Sequence, residues 1–103
     1  MATQPPDTFL ERLDRWATEQ PKKEAFSFVD DSGKETTVLS YEELYAKTAS
    51  IARSMRKDKA SGGWGIQAKD RVLLVYPPSL DFILAYIACL RAGVVAVPVF
   101  PPH

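Results

Sequence analysis

Hydrophobic and polar positions change rhythm twice along this chain, and each change marks a different kind of element. Phe9, Leu10, Leu13, Trp16 and Ala17 recur at helical spacing, with Glu11, Arg12, Asp14 and Arg15 between them. The helix this predicts ends at or before Gln20, because Pro21 disfavours helical geometry in the residue preceding it. Thr8 and Glu11 supply the T-x-x-E of a capping box, in which each side chain satisfies a backbone N–H left over at a helix start. Alternation then takes over. Ala25 to Val29 reads as a half-buried strand, Asp30 to Gly33 as a turn and Thr36 to Leu39 as the returning strand, which together make a hairpin. Ser40 and Glu43 form a second capping box. They open a helix whose apolar stripe is Tyr41, Leu44, Tyr45, Thr48, Ile51, Ala52 and Met55. Glu43 and Lys47 stand four apart on it, the spacing of a weak helical ion pair.

The second change follows the loop KASGGWGIQAKD. Its glycines suggest a phosphate loop, but there is no G-x-x-x-x-G-K-[ST] and the loop leads into a strand, so it reads as a connector. RVLLVY is then a continuous apolar run, the pattern of a strand covered on both faces. Pro77 and Pro78 stop it, and Ser79 caps a helix, LDFILAYIACL, that is apolar nearly all round. Gly93 suits the residue after the helix, and VVAVPVF reads as a second doubly covered strand. Strand, helix and strand make one βαβ unit, expected to be parallel and right-handed. Pro98 has no N–H, so it belongs at a strand end, a bulge or an edge.

These elements do not cover one another. Parallel strands buried on both faces need layers on each side, and one hairpin with two amphipathic helices is too little to supply them. The reading is therefore α/β: a flexible arm over 1–7, then residues 8–103 as the incomplete N-terminal part of a larger domain. Composition agrees with a globular chain, at 103 residues with 46% apolar and 25% charged positions. Thirteen basic and thirteen acidic residues cancel, which argues against a nucleic-acid partner. Cys89 is the only cysteine, so an internal disulfide is excluded and a reducing compartment is the simpler expectation. The N-terminus lacks the basic and apolar regions of a secretory signal, and no apolar run reaches the roughly 20 residues of a membrane span. A cytoplasmic location is expected.

DRVLLVYPPSLDFILAYIACLRAGVVAVPVFPP resembles the N-terminal segment of the adenylate-forming superfamily, which includes acyl-CoA synthetases, luciferases and peptide adenylation domains. The generic form is a "GDRV" strand, a short polar turn, an "F…A…A…RAGAV" helix and a "VP" strand. LSYEELYAKTASIARSM matches the helix that precedes it in that superfamily. YPPSLDF at 76–82 and VPVFPP at 97–102 look most like the fatty acyl-AMP ligases. The resemblance runs from about Thr8 onward. It implies the start of the large domain of an adenylate-forming enzyme, an AMP-binding (adenylation) domain. The full-length enzyme would use ATP and Mg2+ to convert a fatty acid to an acyl-adenylate and pass the acyl group to an acyl carrier protein thiol. A related acyl-CoA synthetase, or a non-catalytic interaction module or pseudoenzyme piece, stays open as an alternative. The family's phosphate loop, adenine and ribose motifs and catalytic lysine have no match between Met1 and His103. No catalytic, metal or cofactor-binding residue is carried over, and the chain by itself is expected to be inactive.

Residues that bear chemistry have structural readings here. His103 is terminal, and a general base must be held against its proton. Ser79 reads as a cap, Asp70 as a turn residue, and Asp81 as a favourable charge in a first helical turn. Glu42 and Glu43 read as a solvated face, whereas acid/base carboxylates would need a cleft. Tyr41, Tyr45 and Tyr86 read as core residues with a polar tip, and Cys89 as a small core residue. Ligands in open α/β sheets bind beyond the carboxyl ends of the strands. Tyr76, Pro77, Pro78, Ser79, Phe100 and Pro101, with Pro102 beyond, are accordingly the candidates to border a cleft in the complete enzyme.

Overall fold

Both capping boxes are made, and they fix where the first two helices begin. In the computed structural model, which describes residues 8–29, 32–75 and 79–99, α1 spans Phe9–Glu19. The Glu11 N–H donates to Thr8 Oγ1 at 3.1 Å, while the Thr8 N–H donates to Glu11 Oε2 at 3.4 Å. β1 (Glu24–Val29) and β2 (Glu35–Ser40) follow as an antiparallel hairpin with two register shifts. Ser40 ends β2 and caps α2 (Tyr41–Arg56): its Oγ accepts from the Glu43 N–H at 3.2 Å, and its N–H donates to Glu43 Oε1 at 3.0 Å. The first N–H groups of α2 are anchored backwards as well, Tyr41 to the Lys23 carbonyl and Glu42 to that of Pro21, both at 3.0 Å.

The bond from the Ser40 N–H to the Glu43 carboxylate is the main reason that carboxyl sits below its ordinary pKa, with the Ser40 hydroxyl and the Lys47 charge adding to it. A lowered folded-state pKa gives stability that is complete above the ordinary carboxylate range and is lost as pH falls through the lowered value. Melting temperature is therefore expected to fall between about pH 5 and 3 more steeply in the wild type than in Glu43→Ala, which lacks this group. Parallel pH profiles would remove Glu43 as a source of the acid sensitivity.

A short 3-10 turn at Lys59–Ser61 leads to β3 (Arg71–Val75), α3 (Leu80–Ala92) and β4 (Val95–Val99). β3 and β4 pair in parallel and in register, from Arg71 with Val95 to Val75 with Val99. Ser79 caps α3 by accepting from the Phe82 N–H at 3.2 Å. At its other end Gly93 takes the left-handed conformation at φ 74°, and Arg56 Nη1 donates to the Ala92 carbonyl at 2.7 Å.

α3 is apolar all round because it serves two cores. Ala85, Ala88, Cys89 and Ala92 pack with Ala52, Met55, Leu74 and Val94, while Ile87 joins Leu13 and Leu44. The cover that one hairpin and two amphipathic helices were expected to be too few to supply is, for this helix, largely supplied within the chain. α1, α2 and the sheet cover most of it, and only Asp81, Tyr86 and Leu90 are exposed. Ile83 packs on the Leu13–Leu44–Ile87 cluster, so a charge there would disrupt the chain's own core. A second correction concerns two tyrosines. Tyr45 and Tyr86 are exposed rather than core, Tyr45 lying beneath Arg91 and Tyr86 stacked on Phe82. Tyr41 is half-buried against Trp16, as its reading requires.

The sheet is covered on one side only. Val72, Leu74 and Ala96 face the core, whereas Leu73 and Val75 are 66% and 60% exposed and share the opposite face with Val95, Val97 and Val99. The expectation of two covered faces is met here by one. The other is a bare apolar surface.

Candidate functional site

The carboxyl ends of the two parallel strands define the candidate site. Val75 and Val99 are register partners, so the chain leaves both strands side by side, at the end where Ser79 starts α3. Of the cleft-bordering candidates, Ser79 is half-buried with its Oγ engaged by the Phe82 N–H. Tyr76, Pro77, Pro78, Phe100 and Pro101 lie outside the described residues, as do Pro102, His103, Asp30 and Asp31. Asp81 is exposed in the first turn of α3, and Asp70 accepts from the Gln67 N–H at 2.8 Å, the turn role read for it.

The glycine-rich loop cannot cradle a phosphate, because its N–H groups are already committed. Gly62 donates to the Lys59 carbonyl, Gly63 to Asp58, Trp64 to Ser54, Gly65 to Lys57 and Ile66 to Met55, all at 2.8–3.0 Å. An anion nest needs these donors free and pointing at the ligand. The loop therefore offers no seat for the phosphates of a nucleotide. Gly63 is required for another reason: a Cβ there would run into the Lys57 backbone. Among the described residues no group of three or more His, Cys, Asp or Glu side chains could hold a metal ion.

Two carboxylates do share a cleft, of about 410 Å³, lined by Asp14, Ala17, Thr18, Glu42 and Tyr45. Both are bound elsewhere. Asp14 receives two bonds from Arg91, Nη1 to Oδ2 at 3.0 Å and Nη2 to Oδ1 at 2.7 Å, while Glu42 pairs with Lys22 at 2.8 Å. The Arg91 Nε donates to Thr48 Oγ1 at 2.8 Å, and its guanidinium stands 4.9 Å from the Tyr45 ring centroid. The Thr48 hydroxyl passes its own proton to the Leu44 carbonyl at 2.7 Å, so this fully buried group is satisfied as donor and acceptor. One arginine thus joins α1, α2 and α3. Neither carboxylate is arranged as a general acid or base.

Cys89 is buried and free, and burial pushes its thiol up, away from the reactive thiolate. No described helix is long and apolar enough to cross a membrane.

The family model of the AMP-binding enzymes matches residues 13–103. The chain belongs to the AMP-binding enzyme family. Among members, it is 38% identical over 95 residues to the medium-chain-fatty-acid acyl-carrier-protein ligase JamA of Moorena producens, covering 92% of this chain and 15% of that protein. It is 33% identical to the human Disco-interacting protein 2 homolog A, over 94% of this chain and 6% of that one. Among solved structures, the fatty acyl-adenylate ligase from Legionella pneumophila in complex with acyl adenylate and pyrophosphate superposes with a TM-score of 0.71 at 33% identity. That match covers 87% of this chain and 14% of the ligase. The chain therefore spans about a seventh of the two ligases. The family's fold accounts for the element order seen here, helix, hairpin, helix, then parallel strands around a helix.

The Asp14–Arg91–Thr48–Tyr45 constellation is what sequence reading missed. Arg91 stands in the RAG of the resemblance, but its partners lie 77 and 43 residues away, and no local spacing announces them. A signal existed in Thr48. A hydroxyl within an otherwise apolar helical stripe requires a polar partner once buried.

Proposed function

We propose that residues 8–103 form the N-terminal part of the adenylation domain of a fatty acyl-AMP ligase. In the complete enzyme a fatty acid carboxylate attacks the α-phosphorus of ATP, pyrophosphate leaves, and the acyl-adenylate passes its acyl group to an acyl carrier protein thiol. The observation that carries this reading is the family match over residues 13–103 joined to 38% identity with an acyl-carrier-protein ligase. ATP and Mg2+ would be held by the rest of the domain, Mg2+ neutralising charge on the phosphates. The bare sheet face supports an incomplete layer structure, since parallel sheets are covered on both sides. Tyr76, Pro77, Pro78, Ser79, Phe100 and Pro101 border the cleft in this reading; its support is the paired exit of Val75 and Val99 beside Ser79. The location is cytoplasmic, in keeping with a free, buried Cys89.

A second reading has one observation behind it, the similarity to Disco-interacting protein 2 homolog A, which is named for an interaction. There the segment serves a binding module. Fatty-acid-dependent ATP–pyrophosphate exchange separates the two. The 103-residue chain is expected to give none, and a polypeptide carrying it within a complete adenylation domain is expected to give exchange at least tenfold above blank. Exchange by the short chain, purified free of host synthetases, would contradict the first expectation. Silence of the complete polypeptide with every fatty acid tried would favour the module.

A further inference from the structure

We propose that the end of the molecule carrying Lys57, Lys59 and Lys69 is a docking surface for an anionic lipid bilayer. The charges that cancel over the whole chain do not cancel there. Six basic residues and two acidic ones fall between Arg53 and Arg71. All six cations are exposed, and Arg53, Lys57, Lys59, Lys69 and Arg71 pair with no carboxylate of the described residues. The fold gathers them from three segments. Arg53, Arg56 and Lys57 share one side of the end of α2 by their spacing of three and four. The Gly65 N–H donates to the Lys57 carbonyl at 2.8 Å, and a Cβ on Gly65 would lie 3.0 Å from Lys59 Cγ, so the loop lays Lys59 beside Lys57. The Lys69 N–H donates to the Gly93 carbonyl at 2.8 Å, next to the Ala92 carbonyl that Arg56 holds, and Arg71 opens β3 two residues on.

Helix ends explain half of this. Arg53, Arg56 and Lys57 suit the negative end of α2, but Lys59, Lys69 and Arg71 stand on loop and strand. Lys69 is held there against its backbone preference. It is the one described residue other than glycine with a left-handed φ, at 71°, a conformation that glycine takes freely and a Cβ disfavours. Where the family's generic strand opens GDRV, this chain reads KDRV. A cation kept where the backbone favours glycine points to a role for the charge. Bare apolar strands call for cover by further parts of a domain. Unpaired ammonium and guanidinium groups do not, because cover strips their hydration unless a carboxylate meets each one. Trp64 in the same loop lines the cavity beside β3, so its exposure goes with the bare face and takes no part here. None of the six cations lines the clefts at Asp14, Lys47 or Trp64, so no small anion is enclosed. A nucleic acid would call for a basic surplus that the whole chain lacks, and a protein partner for an anchor set in a pocket. A lipid surface needs only roughly four to eight cations within about 10 Å of its plane, each adding about fivefold to partitioning. The proposal concerns charge alone and holds under either reading of the chain's function.

Cosedimentation of the 103-residue chain with vesicles tests it. At low salt the wild type is expected to bind phosphatidylcholine vesicles carrying phosphatidylglycerol at least about tenfold more tightly than phosphatidylcholine alone. That difference should vanish at about 1 M salt, where screening shortens to about 3 Å. Lys57→Gln with Lys59→Gln should weaken the anionic binding roughly thirtyfold. Lys22→Gln with Lys23→Gln removes the same net charge beside the first turn of α2, about 24 Å away along that helix, and should change binding by less than about twofold. Lys69→Gly separates charge from structure. It should bind about fivefold more weakly while melting no lower than the wild type, since glycine suits the left-handed backbone. Equal binding to both kinds of vesicle would assign adsorption to the bare apolar face and overturn the proposal, as would binding to neither. So would a Lys57–Lys59 variant that binds like the wild type, a Lys22–Lys23 variant that loses as much, or a Lys69→Gly chain of undiminished affinity. Tighter retention by duplex DNA or polyglutamate than by the anionic vesicles at equal salt would overturn it in favour of another polyanion.

Discussion

Replacing Arg91 with alanine is expected to lower the unfolding free energy by about 3 kcal/mol, the low end of the range for breaking a buried ion pair. The side chain is 11% exposed and makes four contacts of consequence: two bonds to Asp14, one to Thr48, and packing on the Tyr45 ring. Removing it strips both bonds from a carboxylate and deprives the fully buried Thr48 hydroxyl of its donor. The loss sits at that low end because the Asp14 side chain is 40% exposed, so water takes up part of what the guanidinium gave. Arg91→Lys restores the charge but cannot present two parallel donors and a third at once, and should recover about 1 kcal/mol. Asp14→Asn should cost about 1 kcal/mol, since one amide oxygen still accepts and its exposure softens the loss. Urea unfolding followed by the fluorescence of Trp16, which packs in the adjoining cluster, measures all three. An Arg91→Ala chain within about 0.5 kcal/mol of the wild type would show that the joint between the helices carries no net stability.

The second large effect concerns the bare face. Co-expressed with the rest of an adenylation domain as a separate polypeptide, the chain is expected to co-purify with it. Apolar burial contributes roughly 25 cal/mol per Å², against association costs of roughly 4–15 kcal/mol, so the contact must reach about 2,000 Å² or more. Val75→Asp combined with Val99→Asp sets two carboxylates on register-paired positions of the exposed face and should abolish the association. Both sites face solvent in the chain alone, so its own melting temperature should move little. Glu42→Lys is the control. It breaks an exposed pair with Lys22, worth at most about 1 kcal/mol, and leaves the sheet untouched. Retention of the partner by the double aspartate variant would mean that this face is not the one covered.

Local chemistry made most of the fold legible. The boxes Thr8–Glu11 and Ser40–Glu43, the cap at Ser79 and the left-handed Gly93 each act within a few residues, and sequence spacing reports them directly. The switch from alternating to continuous apolar strands likewise marked the parallel pair. What spacing could not report is which face meets which neighbour. LDFILAYIACL looks uniform, yet Ala88 and Cys89 are fully buried while Tyr86 and Leu90 meet solvent, because α1 and α2 arrive from particular sides. Tyr45 was misread for a related cause: its ring serves a cation supplied from another helix. The candidate site was legible only as strand ends, since the pairing of Val75 with Val99 follows from the parallel register while the partners of Arg91 lie far off in the sequence.

The sharing of Ile87 also has a consequence for the order in which the chain is made. Leu13 and Leu44 meet early, on helices joined by a hairpin whose exit is tied to the Pro21–Lys23 connector. Their common third member is 43 residues beyond Leu44, and the arginine that clasps α1 comes later still. At synthesis rates of about 5–20 residues per second, those two leucines wait some seconds for their lid. During that interval the emerging chain presents an unfinished apolar seam, so chaperone engagement should be greatest on nascent chains that end before Ile87 and should fall once α3 has emerged.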